Sequence, residues 1–178
     1  SICEKKGVRQ LIQAFILVKQ KYPSLYLDLY GRDWFWANGA SYTKYLKDIF
    51  SESDLEQVCF HNSIPHDQLP EKIQSATLCV FPSHMETLGL VAPEAMAMEK
   101  AVIFTNLGPG KEVIEDGVTG MLCNPLAPED IAFKIMQLLQ DPEYAKTLGK
   151  NARKAAVEKF YKNVILLQNI DFYQSILK

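Results

Sequence analysis

Five short apolar runs, at residues 25–30, 58–61, 76–81, 101–105 and 120–123, alternate with segments of helical character. That alternation constrains the fold more than anything else in the sequence. A run such as Ala101-Val-Ile-Phe-Thr105 has no polar face, so it reads as a strand covered on both sides. Parallel strands need crossover connections, and helices are the usual ones. The sequence therefore predicts an α/β fold: a parallel sheet with helices on both faces.

The helical segments carry their own signals. Residues 7–22 place Val8, Leu11, Ile12, Phe15 and Val18 at helical spacing and stop before Pro23. Residues 68–75 and 90–99 suit two further crossovers, and after residue 123 the chain turns helical at 128–140, 142–159 and 163–177. The last of these has a stripe of Val164, Leu167, Ile170, Tyr173 and Leu177 that needs a surface to cover; uncovered, it predicts self-association. Residues 1–178 form a single domain without repeat or linker, long enough to bury a core unaided. The strand expected ahead of the first helix is missing, which suggests a piece of a longer protein.

A net charge of -2 argues against the basic face that nucleic-acid binding needs. The four cysteines lack the paired spacing of zinc or redox sites, and His61, His66 and His84 share no metal-ligand spacing, so no metal is expected. Cys59 and Cys79 have apolar neighbours and read as reduced, packed thiols, which points to an intracellular chain. No apolar stretch is long enough to span a bilayer.

In open parallel sheets ligands sit beyond the carboxyl ends of the strands. The loops to inspect are thus 31–33, 62–66, 82–89 and 106–110. The third is the most unusual, with Glu86 and Glu94 on either side of an expected helix start at Gly89. Free amides at Gly89, Leu90 and Val91 would attract a diphosphate. Glu86 could accept hydrogen bonds from sugar hydroxyls and Glu94 from a vicinal diol. On spacing alone, a solvated Glu86 and a first-turn Glu94 explain the pattern equally well.

Pro82-Ser83, followed by Glu86-Thr-Leu-Gly-Leu-Val-Ala-Pro-Glu94-Ala-Met-Ala, resembles the signature of family 4 retaining glycosyltransferases. Lys6-Gly7, Tyr30-Gly31, the 60–64 segment and the 101–105 and 112–122 segments follow in the family's order, so the resemblance spans nearly the whole chain. It implies the carboxy-terminal, Rossmann-like half of a GT-B enzyme, with an amino-terminal acceptor domain lying elsewhere. It also implies a nucleoside diphosphate sugar as donor substrate, with no cofactor. In this reading Glu86 touches the transferred sugar and is the catalytic candidate, and Lys6 offers a cation to the diphosphate. The amides of Leu88, Gly89 and Leu90 hold phosphate or sugar oxygens, Glu94 holds the ribose, and Gly31, Arg32 and Ile64 lie on the base side.

The resemblance further implies that the chain alone is inactive, and a cytoplasmic enzyme, with peripheral membrane contact of the full enzyme left open. There are departures: Ser1-Ile2-Cys3 stands where the family often has an arginine, and Asn62 where it often has glycine. A nucleotide-sugar epimerase or phosphorylase of the same fold, or a non-catalytic binding module, remains an alternative. So does a plain turn at Gly108-Pro-Gly110, a plain surface role for His84, and either stacking or domain packing for Trp34, Phe35 and Trp36.

Overall fold

A computed structural model describes residues 1–177. Helix α1 spans Val8–Lys21, β1 Leu27–Tyr30, α2 Tyr42–Ile49, α3 Glu52–Leu55, β2 Val58–His61, α4 Leu69–Ser75, β3 Cys79–Phe81 and α5 Val91–Ala97. Then come β4 Val102–Thr105, α6 Gly110–Val113, β5 Met121–Cys123, α7 Pro128–Gln140, α8 Pro142–Phe160 and α9 Lys162–Ile176. Short 3-10 helices occupy Glu4–Lys6 and His66–Gln68. β1 pairs with β2, and β3, β4 and β5 pair in that order; every pairing is parallel.

Strand β4 explains why the helices lie on both faces. All four of its residues are buried, and they alternate sides. Ile103 packs with Ile12, Phe15 and Val18 of α1 and Ile131 and Leu138 of α7. Val102 and Phe104 pack with Ala92, Ala95 and Met96 of α5 and Ala152 and Ala156 of α8. The expected α/β, Rossmann-like architecture is what the chain adopts. Among the described residues, no helix is long and apolar enough to cross a membrane.

Local chemistry sets the ends of the elements. Asp141 caps α8 by accepting from the Tyr144 amide at 2.9 Å, and Pro142 fills the first turn. Ser41 caps α2, and Ser51 with Asp54 forms a capping box on α3. These two helices lie in the stretch between β1 and β2 to which the sequence assigned none; the serine caps were the signal passed over. The segment ahead of α1 forms no full strand. Ile2 instead makes an isolated parallel bridge to Asp33, with its amide donating to Arg32 O at 2.9 Å. In α9 no residue is buried, and its apolar residues wrap more than one stripe: Ile165, Leu166 and Phe172 are exposed as well as Leu167, Ile170 and Tyr173.

Candidate functional site

The site begins with a glycine. Gly7 sits in the left-handed region at φ 69°, where its amide closes the Glu4–Lys6 turn on Glu4 O at 2.8 Å and its carbonyl starts α1. A Cβ there would lie 1.9 Å from Pro82 O, so only glycine lets the turn press against the loop that follows β3. The His84 amide donates to Lys5 O at 2.8 Å and completes the junction. These contacts carry Lys6 across the strand ends.

There Lys6 Nζ lies 2.5 Å from Glu86 Oε1, and Ser83 Oγ donates to the same oxygen at 2.8 Å. Ser83 is 2% exposed and the Glu86 side chain 9%, so a nearly buried carboxyl group is paired with a cation and a hydroxyl. Sequence reasoning gave Lys6 and Glu86 separate tasks; the fold makes them one pair. Glu4 holds the turn in place: Arg9 and Gln10 donate to its Oε1, and Tyr42 and Arg9 to its Oε2. The hydrogen bond from Arg9 is the main reason its carboxyl drops from 4.5 to about 2, against the opposing effect of burial, with Tyr42 and Gln10 adding to the drop.

Gly89 does not start α5. It forms a left-handed turn at φ 73°, Leu90 occupies the cap position, and the helix begins at Val91 with only seven residues. A Cβ on Gly89 would meet the Phe104 ring at 2.6 Å, so glycine is required here by β4 as well as by the turn. The amides of Leu88, Gly89 and Leu90 donate to no group among the described residues. The Leu88 and Leu90 side chains are exposed. Glu94, one turn into α5, accepts from His66 Nε2 at 3.2 Å, which joins the loop after β2 to this helix. Ile64 of the same loop is half-buried.

Arg32 is exposed, and its carbonyl accepts from the Ile2 amide at 2.9 Å. Gly31 borders a cleft of 460 Å³ shared with Asp33, Thr43, Lys47, His61 and Asn62. That cleft contains none of Lys6, Glu86 and Glu94. His84 differs from the surface residue the sequence suggests: its Nε2, like Gln10 Oε1, is buried and has no hydrogen-bond partner among the described residues. Gly110 is a packing glycine, since a Cβ would lie 2.0 Å from Thr105 O, while Gly108 lies against the Glu86 backbone. Trp36 packs edge-on to Tyr42 and Tyr45, and Trp34 and Phe35 remain exposed.

The sequence matches the family described as Glycosyl transferases group 1 over residues 1–155. The chain is 31% identical to the Bacillus subtilis protein described as putative glycosyltransferase EpsD, over 97% of this chain and 43% of that one. Among solved structures, sucrose-phosphate synthase from Thermosynechococcus elongatus superposes with a TM-score of 0.86 at 32% identity, covering 98% of this chain and 43% of that one. The carboxy-terminal domain of the group 1 glycosyl transferase LpcC from Francisella tularensis superposes with a TM-score of 0.80 at 28% identity, over 90% and 83% of the two chains. The chain spans 29% to 45% of the length of the first curated relatives it matches.

Proposed function

This chain belongs to the group 1 glycosyltransferases, and from that premise we propose that it is the donor-binding half of a retaining, family 4 enzyme of the GT-B arrangement. The observation that carries the reading is the meeting of Lys6, Glu86 and the unpaired amides of residues 88–90 at the ends of parallel strands, with Glu94 one turn away. Together they offer a cation and N–H donors to a diphosphate, and carboxylates to hydroxyls.

In this reading Lys6 leaves Glu86 to meet a diphosphate oxygen, and Glu86, still held by Ser83, accepts from hydroxyls of the transferred sugar. Glu94 accepts from the ribose diol, and Gly31, Arg32 and Ile64 border the base. The bond between the anomeric carbon and the diphosphate oxygen breaks, and a bond from that carbon to an acceptor oxygen forms on the same face. The products are the glycosylated acceptor, a nucleoside diphosphate and a proton. Negative charge grows on the leaving diphosphate, where Lys6 and the fixed amides stabilise it, so the step requires no metal or other cofactor.

The surface around Glu86 is read as one wall of a cleft, the other wall being an amino-terminal acceptor domain. The apolar exterior of α9 serves as the surface that meets it, and in the isolated chain as a surface for self-association. All four thiols are free, which fits a reducing cytoplasm.

Product analysis tests the reaction. The whole polypeptide containing this chain is incubated with labelled sugar nucleotides, with and without acceptor. Transfer with retained anomeric configuration, absent for the isolated 178-residue chain, supports the reading. An epimerised sugar nucleotide or phosphate-dependent sugar release would replace it with the epimerase or phosphorylase alternatives, and donor binding without any turnover with the binding module.

A further inference from the structure

We propose that Asp28, Cys59 and His61 form a binding site for a divalent transition-metal ion of the zinc type, separate from the Lys6–Glu86 pair. Strand alternation turns Cys59 and His61, two residues apart on β2, to the same face, and the parallel register sets Asp28 of β1 beside Cys59. One carboxylate oxygen, the thiol sulfur and one imidazole nitrogen all lie within 4.8 Å of one another. A tetrahedral ion with bonds of about 2.0–2.3 Å needs ligand atoms about 3.3–3.8 Å apart, so closure takes side-chain adjustments of about 1 Å.

Several features prepare the group for an ion. The imidazole is stacked on Tyr30, with ring centroids 4.3 Å apart and planes 11° from parallel, which fixes its orientation. His61 Nε2 lies 2.6 Å from Asp28 Oδ1, a direct hydrogen bond that an ion would replace as the two atoms part to about 3.3 Å. The side chains of Asp28 and His61 are 50% and 38% exposed, which leaves an entry path and room for a water as fourth ligand. Cys59 is half-buried, unlike the buried Cys3, Cys79 and Cys123, and lies beside two other donors.

A mixed sulfur, nitrogen and oxygen set selects zinc or its neighbours over magnesium or calcium, which prefer oxygen alone. The site also has a structural consequence. The His61 carbonyl accepts from the Gly31 amide at 3.3 Å, and His61 leads into the 62–66 loop, so an ion here ties together the loops that follow β1 and β2. The metal site is independent of the glycosyltransferase reading.

The test is a competition titration of the reduced chain with zinc chloride against a chromophoric chelator, repeated with Asp28→Asn, Cys59→Ser and His61→Ala. Loss of a partner that merely orients a ligand costs about 10–100-fold in metal affinity, so loss of a direct ligand is expected to weaken zinc at least 10-fold. Cobalt chloride should give a thiolate-to-metal charge-transfer band in the parent chain that Cys59→Ser abolishes. Metal-free melting curves identify any variant that fails to fold, and Asp28→Asn, which keeps the shape of the side chain, then decides. Unchanged zinc affinity in folded variants, or a cobalt spectrum without a thiolate band, overturns the proposal.

Discussion

Lys6 Nζ and Glu86 Oε1, eighty residues apart in sequence, lie 2.5 Å apart in the fold. Each is therefore the first competitor for the other's ligand. Glu86→Gln removes the charge that Lys6 must leave. In the proposed site this variant binds a bare nucleoside diphosphate as tightly as the parent or several-fold more tightly, yet loses affinity for the sugar nucleotide. Lys6→Ala weakens both ligands by about 10–100-fold, the range expected for a hydrogen bond to a charged group. Calorimetry on each ligand separates the two patterns.

Gly7→Ala tests the junction that delivers Lys6. The added Cβ meets the Pro82 carbonyl, so the cost is a clash as well as left-handed strain, about 2–4 kcal/mol together. Gly39→Ala is the control: its φ is 78°, and nothing lies within 4 Å of the added Cβ, so strain of about 1–2 kcal/mol is expected alone. Urea unfolding of the two variants measures the difference.

Acid stability follows from Glu4. Its folded-state value is depressed below that of the unfolded chain, so its contribution is complete above about pH 4.5 and is lost as pH falls toward about 2. Glu4→Gln should be less stable at neutral pH, with the gap closing through that window. The side chain is 42% exposed, so solvent screening keeps the gap on the order of 1 kcal/mol. Denaturant midpoints taken across the acid range provide the check.

The Glu94 assignment separates from mere surface pairing. Its partner His66 has an 82% exposed side chain, and such pairs contribute about 0–1 kcal/mol, so His66→Ala should scarcely change stability. Glu94→Ala should weaken a nucleoside diphosphate by about 10-fold or more, and its 2′,3′-dideoxy analogue not at all. Equal loss for both ligands would remove the ribose role.

The sequence made the strands and the later helices legible because their signals are local. Apolar runs bounded by turns marked β1 to β5, and Pro128 and Pro142 marked where α7 and α8 begin. The α2 and α3 helices were missed because the aromatic, charged stretch they occupy has no long apolar period, and only the capping serines betray them. At the site, motif order singles out Lys6, Glu86 and Glu94, but it carries no information on which atoms meet. The Lys6–Glu86 contact and the Tyr42 hydrogen bond to Glu4 join distant segments, and the Ser83 hydrogen bond to Glu86 depends on how one loop is folded. The Asp28, Cys59 and His61 group was invisible for a similar reason, since strand register rather than spacing along the chain brings Asp28 to the other two.

The most direct measurement is a calorimetric titration of this chain with UDP, GDP and ADP, for the parent, Lys6→Ala and Glu94→Ala. The account predicts that one of the three nucleotides binds and that both substitutions weaken it by about 10-fold or more. Binding unaffected by either substitution, or no binding of any of the three by the folded parent, would contradict the claim that these residues form a donor site.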